Sequence, residues 1–150
     1  MSIYQHINCF QENLKELMEI NSLTVSDLEK KTGVNHTGIY DYLDGKYIPD
    51  IDCATKIAGC FNCSFDYLFG FTESYFPCEY SSDGDIKSRV KTAIDKSGFS
   101  RYKVAQLTNT SQNQVCNWYH GKVIPKLISL VALATVLHCS LDYLAGRDEI

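Results

Sequence analysis

The chain has 150 residues, of which 45% are hydrophobic and 21% charged, a composition that can build a packed globular core. The sequence has no apolar run of about 18 to 20 residues, the length that a membrane helix needs. It also lacks the basic and apolar regions of a secretory signal, so we expect a cytoplasmic protein. The formal net charge of −4 excludes a uniformly basic nucleic-acid binder, but residues 1–75 carry −6 and residues 76–150 carry +2.

The first half of the chain predicts five short helices with recognisable start and stop signals. Thr24 and Asp27 form the pattern of a capping box, and Gly45 stands where a third helix must stop. Pro49 stands just before a fourth helix, where a missing amide proton costs little. The apolar spacing predicts helices at 8–20, 25–32, 36–44, 51–61 and 65–69.

The second half repeats the first at a constant offset and without a gap, so that Gly45 corresponds to Gly121. Residues 45–49 (GKYIP) recur as 121–125 (GKVIP), and residues 63–70 (CSFDYLFG) recur as 139–146 (CSLDYLAG). The same five helices are therefore predicted at the matching positions of the second half. Because no strand-like alternation of useful length occurs, the predicted fold class is all-α. Residues able to cap a helix start recur in both copies: Thr24, Asn35, Ser64, Ser100, Ser111 and Ser140.

The repeat predicts two tandem five-helix domains, at residues 8–72 and 85–148, joined by an aromatic-rich linker at 73–84. Flexible linkers are not aromatic-rich, yet Phe71, Tyr75 and Phe76 lie at this junction. Two interpretations stay open. The rings cap the end of the first domain, or they fix the two domains against each other or form a dimer contact.

Residues 23–40, and their counterparts 99–116, resemble the helix-turn-helix of the phage-repressor and Cro (XRE-like) family. With the Gly-Lys, Pro and Ser-hydrophobic-Asp-Tyr-Leu-x-Gly segments, the resemblance covers nearly all of residues 10–70 and 86–146. It implies the lambda-repressor-like fold, whose third helix enters the major groove of double-stranded DNA. The expected function is that of a sequence-specific transcriptional regulator, such as a repressor of a bacterium or phage.

In the second copy the resemblance assigns base reading to the start of the third helix. Gln112, Asn113 and Cys116 occupy the reading positions, with Gln114 on the same polar face. Gln and Asn side chains can make paired hydrogen bonds to the Hoogsteen edge of adenine. Asn117 can reach either a base or a phosphate. The alternative is that these amides are only a solvated polar helix face.

Three cations of the second copy are expected to contact phosphates. Arg101 stands at the start of the second helix, where relatives commonly touch the DNA backbone, and Lys103 and Lys122 add charge near the same edge. Such contacts position the domain and do not specify sequence. Asn109 replaces the usual turn Gly and tolerates a left-handed backbone, and Trp118 is interpreted as core because Tyr42 occupies the matching position.

The first copy departs further from the family pattern. Glu29 stands where a small residue normally lets two helices approach, and Lys31 and Thr32 replace apolar residues. Asp41 and Asp44 follow its third helix start and would repel a polyanion, so we expect this copy to bind DNA differently or to serve dimerisation or partner binding. Its candidate DNA contacts are His36, Thr37, Tyr40 and Lys46.

No residue pattern indicates an enzyme, a cofactor, a metal or a small-molecule ligand. Cys60 and Cys63 have the spacing of half a zinc site, but a second half does not follow. Cys116 and His120 lie four apart without a third orienting group. The seven cysteines are odd in number and scattered, so we expect reduced thiols.

Two function classes therefore remain. The first is a DNA-binding regulator whose second domain reads a half-site, with two half-sites spanned by a homodimer or by the two domains of one chain. The second is a protein-interaction module, antitoxin-like or anti-repressor in role, that keeps the helix-turn-helix fold. The acidic first half motivates the second class.

Overall fold

The computed structural model describes residues 2–150, which form two compact helical units. One unit runs to Tyr80 and includes Glu149 and Ile150, and the other covers Ser81–Asp148. The first contains helices α1 (Ile3–Ile20), α2 (Val25–Thr32), α3 (His36–Leu43), α4 (Ile51–Phe61) and α5 (Phe65–Leu68). The second contains α6 (Ile86–Ser97), α7 (Arg101–Thr108), α8 (Gln112–Tyr119), α9 (Leu127–Leu137) and α10 (Leu141–Leu144).

The all-α prediction is confirmed, with one minimal exception. Two strands of two residues each, β1 (Tyr80–Ser81) and β2 (Asp148–Glu149), pair with each other, although no alternating sequence predicted them. Helices α2 to α5 recur as α7 to α10, and every start and end is shifted by the same offset that relates the two halves of the sequence. The predicted helix positions therefore hold to within one residue in these eight elements.

Helix α1 begins five residues before its predicted start because of a cap that the sequence analysis missed. The Ser2 hydroxyl accepts from the Gln5 amide while the Gln5 side chain accepts from the Ser2 amide. The added residues include His6, which is buried. His6 Nδ1 lies 2.6 Å from the Phe69 carbonyl oxygen, so the buried imidazole has a partner.

The core of the first unit is aromatic as well as aliphatic. The rings of Phe10 and Phe69 stack with their centroids 4.9 Å apart, and Leu14, Ile39 and Ile57 are fully buried in the same unit. Burying one such side chain contributes roughly 1.5 to 3 kcal/mol relative to leaving it in water. Ile39 belongs to α3, so its burial determines which face of α3 is turned toward solvent.

The second unit has an aliphatic core that contains one large ring. Trp118 is only 1% exposed, which confirms its interpretation as a core residue. Tyr42, at the matching position of the first unit, is buried as well. One ion pair is buried: Arg147 Nε donates to Asp142 Oδ1 at 2.9 Å. The apolar residues buried in this unit include Val90, Val104, Val115, Leu127, Leu130 and Leu141.

The aromatic residues near the unit boundary differ in their contacts. The Phe71 ring stacks on the His6 ring with their centroids 3.8 Å apart, and the Tyr75 hydroxyl donates to the Phe61 carbonyl oxygen at 2.5 Å. Phe76, in contrast, is 76% exposed. Phe71 and Tyr75 therefore cap the first unit, as one of the two interpretations expected. No helix within residues 2–150 combines the length and apolar character needed to cross a bilayer.

Candidate nucleic-acid interface

In the second unit a tight turn joins α7 to α8. Asn109 adopts φ 56° and ψ 43°, the left-handed conformation expected of a residue in place of the turn glycine. Its amide bonds back to the end of α7, and the Ser111 side chain accepts from the Gln114 amide at the start of α8. The turn is therefore closed on both sides by hydrogen bonds, which fixes the first turn of α8.

The first turn of α8 presents amide side chains to solvent. Gln112, Asn113 and Gln114 are exposed, while Val115 is fully buried against the core. Cys116 and Asn117 are half-buried at the edge between these two faces. Of the predicted base-reading residues, Gln112 and Asn113 are thus exposed at the helix start, where side chains of a reading helix contact base edges, and Cys116 is only partly accessible.

Arg101 is fixed by contacts to other side chains. Its Nη1 donates to His120 Nε2 at 2.9 Å, and its guanidinium carbon lies 5.0 Å from the centre of the Tyr119 ring. The Tyr119 hydroxyl donates to Asp95 at 2.8 Å, and this bond to a carboxylate raises the Tyr119 pKa. The other two predicted phosphate contacts, Lys103 and Lys122, are exposed.

In the first unit a carboxylate occupies the start of the corresponding helix. Glu29 Oε2 accepts from the His36 backbone amide at 2.5 Å and lies 2.9 Å from His36 Nδ1. These hydrogen bonds hold the Glu29 pKa below its usual value. The matching residue of the second unit is the small, buried Ala105. Glu29 therefore caps the first backbone amide of α3, a role that its position in the sequence did not predict.

The remaining candidate contacts of the first unit lie at or just beyond α3. Thr37 is exposed and Tyr40 is 55% exposed, so both are accessible. The Lys46 ammonium lies 4.0 Å from an Asp41 carboxylate oxygen, and Asp44 is exposed close to them in sequence. The positive charge at this face is therefore accompanied by two carboxylates.

Thr32 shows why the first unit tolerates a polar residue at an expected apolar position. Its hydroxyl donates to the Leu28 carbonyl at 2.7 Å and accepts from the Val34 amide at 3.1 Å. Both hydrogen-bonding capacities of a half-buried group are thus used. The neighbouring Lys31 is exposed, so it does not enter the core.

The cysteines do not form a metal centre within the described residues. No group of three or more His, Cys, Asp or Glu side chains there is close enough to ligate an ion. Cys63 is buried, and burial raises the pKa of the Cys60 thiol. His120 uses Nε2 to accept from Arg101, which removes that nitrogen as a base for Cys116.

Two sets of contacts at the candidate interface were not predicted from the sequence. Glu29 caps α3, and Tyr119 and His120 contact Arg101. A clue was available in the second case. The first copy has Leu43 and Asp44 where the second has Tyr119 and His120, and it has Val25 where the second has Arg101. The two aromatic residues and the arginine therefore occur together in one copy and are all absent from the other.

Part of the chain is similar to known proteins. Residues 14–68, which reach from within α1 to the end of α5, match the helix-turn-helix family. The HTH-type transcriptional regulator ImmR of Bacillus subtilis (strain 168) is 29% identical over 65 residues, covering 43% of this chain and 51% of the relative. The chain thus spans about half the length of this curated relative. No solved structure matches the chain.

Proposed function

We propose that this protein is a sequence-specific DNA-binding transcriptional regulator. Residues 14–68 match the helix-turn-helix family, which supports this class. The similarity to a protein named a transcriptional regulator supports the same class. We further propose two tandem domains of this type, at 8–72 and 85–148, with 73–84 as the linker. The recurrence of four helices at a constant offset supports that division.

The second domain is the better candidate for the reader of DNA sequence. The observation that carries this choice is the contrast between the two helix starts. At α8 the exposed side chains are the amides of Gln112 and Asn113, and the neighbouring α7 position is Ala105. At α3 the carboxylate of Glu29 caps the first backbone amide and contacts His36. A carboxylate at this end opposes approach to phosphates, while amides pair with adenine.

Backbone contacts would come from the cations around α8. Arg101, Lys103 and Lys122 belong to the half of the chain with a positive balance. Each phosphate contact releases counterions and makes affinity fall with salt, with a slope of about −0.9 per contact. Double-stranded DNA is therefore the proposed partner, bound by a homodimer or by the two domains of a single chain, with half-sites about 34 to 36 Å apart in either case.

The test is binding of the purified chain to the DNA upstream of its own gene and to a random duplex across a salt series. The double change Gln112→Ala with Asn113→Ala removes the proposed base contacts. We expect the preference for upstream DNA to fall by about tenfold or more, because one good paired contact discriminates by roughly 1 to 3 kcal/mol. Binding to the random duplex should change little.

The chain provides a matched control, since His36 and Thr37 occupy the same two positions in the first copy. His36→Ala with Thr37→Ala should leave the preference for upstream DNA intact. A larger loss from this control than from the Gln112 and Asn113 pair would transfer the reading role to the first domain. Absence of any preference in the parent protein would refute sequence-specific binding.

The interaction-module function remains the second candidate because of the Glu29 cap and the acidic first half. In that case the first unit would bind a protein, as an antitoxin-like or anti-repressor module. The same salt series separates the candidates. Tight self-association or association with a protein, without DNA affinity at any salt concentration, would favour the interaction module.

A further inference from the structure

The contacts of Arg101 form a cluster that joins three helices of the second unit. Arg101 begins α7, Tyr119 ends α8, and Asp95 lies in α6. Tyr119 uses two different groups in these contacts: its ring lies 5.0 Å from the Arg101 guanidinium carbon and 5.4 Å from the Lys91 ammonium, and its hydroxyl donates to Asp95. We call Lys91, Asp95, Arg101, Tyr119 and His120 the Arg101 cluster.

We propose that Tyr119 and His120 are positioning residues that orient the Arg101 guanidinium for a DNA phosphate. The proposal rests on the function proposed above, because it takes Arg101 as a backbone contact. Neither residue was among the candidate DNA contacts drawn from the sequence. Their role is indirect, since they act through Arg101 and need not touch DNA.

The hydrogen bond between Arg101 and His120 has a defined direction. A guanidinium carries only donors, so His120 Nε2 must accept and the proton of the neutral imidazole must lie on Nδ1. The bond uses Nη1, and Arg has five N–H groups in total. The guanidinium therefore keeps N–H groups that can donate to a phosphate while it remains bound to the imidazole.

The Tyr119 ring restricts the same guanidinium from a second direction. A cation near the face of an aromatic ring is attracted by the ring quadrupole, and Arg also stacks on such rings. The ring itself is oriented by the hydrogen bond of its hydroxyl to Asp95. An exposed Arg that is already ordered loses less side-chain entropy when it binds a ligand. This is the physical reason why the cluster would strengthen DNA binding without adding a contact.

The first unit lacks the arginine and both aromatic members of the cluster. Val25, Leu43 and Asp44 stand at the positions of Arg101, Tyr119 and His120. An arrangement needed only for stability of the fold would be expected in both units. Its restriction to the unit with the exposed amides favours a role in DNA binding.

The test measures affinity for a random duplex, because phosphate contacts do not depend on sequence. The variants are Tyr119→Leu, His120→Ala and, as the reference, Arg101→Ala. We expect each positioning variant to weaken binding by about two- to tenfold, the equivalent of ordering one Arg side chain. Adding either change to Arg101→Ala should produce no further loss, since the group they position is then absent.

Tyr143 supplies a matched control. The Arg89 guanidinium carbon lies 5.0 Å from the centre of the Tyr143 ring, the same distance as in the Arg101 cluster, but neither residue is a proposed DNA contact. Tyr143→Leu should leave affinity unchanged. His120→Gln, whose side-chain oxygen can still accept from Arg101, should restore most of the affinity that His120→Ala loses.

A spectroscopic measurement tests the geometry without DNA. At about pH 8.5, where an ordinary imidazole is neutral, the ¹⁵N shifts of His120 should report protonation on Nδ1 in the parent chain. The Arg101→Ala variant has no guanidinium to donate to His120 Nε2, so the ¹⁵N shifts of His120 should move toward those of the Nε2-protonated form. Thermal unfolding of each variant verifies that the second unit remains folded.

The outcomes separate the two proposals. If the parent chain binds no DNA, the proposed function fails and the positioning role fails with it. If Arg101→Ala weakens binding while Tyr119→Leu and His120→Ala do not, the function stands and the positioning role is refuted. Equal losses in the presence and absence of Arg101 would also refute it, because the effect would then bypass Arg101.

Discussion

Trp118 lies in the core of the second unit although it belongs to α8, the helix proposed to read DNA. An aromatic ring on a helix that is proposed to read DNA could stack on a base, but the first copy has Tyr42 at the same position, which argued for burial. The side chain is 1% exposed. A residue whose counterpart in a repeat is also apolar is constrained by packing more than by a ligand.

We predict that Trp118→Ala lowers the free energy of unfolding of the second unit by about 3 to 5 kcal/mol, because it leaves a large cavity. Urea denaturation followed by far-ultraviolet circular dichroism measures this change. Tyr102→Ala is the control, since Tyr102 is 61% exposed in the same unit and its loss should shift stability by no more than about 0.5 kcal/mol. Comparable losses in both variants would contradict the core assignment.

Glu29 belongs to the residues whose role depends on the tertiary structure. We predict that Glu29→Ala, made in a chain that also carries Gln112→Ala and Asn113→Ala, increases affinity for a random duplex. The change removes a negative charge from the start of α3 and frees the His36 amide. Binding measured at low salt gives the largest signal, since exposed charges are screened at high salt.

The control for that prediction is Glu12→Ala, which removes the same charge from an exposed position of α1. If Glu12→Ala increases affinity as much as Glu29→Ala, total charge explains the result and the location of Glu29 at the helix start does not matter. The sequence could not have supplied this role, because the carboxylate and the amide it caps are seven residues apart and meet only through the turn.

Among the elements, α2 to α5 and α7 to α10 begin at the residues predicted for them, because caps depend on local sequence. Thr24, Asn35, Ser64, Ser100, Ser111 and Ser140 all accept hydrogen bonds from first-turn amides as expected. The start of α1 was missed because apolar spacing weakens before residue 8, although Ser2 and Gln5 carry a cap. Boundaries therefore follow from local chemistry where the cap is recognised.

Helix α9 differs from α4 in its cap. Asp50 accepts from the Cys53 amide, whereas Lys126 at the matching position makes no side-chain cap bond, although its backbone is similarly extended. We predict that Lys126→Asp raises the free energy of unfolding by about 0.5 to 2 kcal/mol, the usual contribution of an N-cap. Chemical denaturation at neutral pH measures it.

Lys126→Ala is the control for the cap, because it removes the Lys charge without supplying an acceptor. It should give less than half of the gain of Lys126→Asp. If the two variants are equally stable, the gain comes from removing a cation from the positive end of the helix dipole and not from a new hydrogen bond.

At the scale of the whole molecule, the constant offset between the two halves predicted the order of the helices in both units and the bounds of α2 to α5 and α7 to α10 to within one residue. The first helix of each unit departs more, since α1 begins five residues before its predicted start and α6 two residues after it. The pairing of β1 with β2 was not predictable, since strands of two residues carry no periodicity. The candidate site was predicted in part. The exposure of Gln112 and Asn113 followed from the motif, but the contacts of Arg101 with residues 119 and 120 required the folded chain.

Acid should destabilise both units through carboxylates with lowered pKa values. Hydrogen bonds from Thr24 lower the pKa of Asp27, and the Arg89 guanidinium lowers that of Asp148. A lowered folded-state pKa contributes stability that is present above the unfolded value of about 4 and is lost as pH falls through the folded value. We predict that the free energy of unfolding falls as pH decreases from about 5 to 2.

Denaturation at a series of pH values tests this, with Asp148→Asn and Asp148→Glu as paired variants. The Asn variant should show a weaker dependence on pH in this range, whereas the Glu variant retains a carboxylate and should keep most of it. An unchanged dependence in Asp148→Asn would show that the pair with Arg89 does not contribute.

Helices α2 to α5 and α7 to α10 have identical lengths and identical spacing. Because α2 and α3 have the same lengths as α7 and α8 and turns of the same length between them, the segment 101–119 is the right length to replace 25–43. A chain with two copies of one surface, or with the two surfaces in reversed order, could be made by segment grafting alone. The exposed side chains at the helix starts would then change while the lengths of the helices that carry them stay the same.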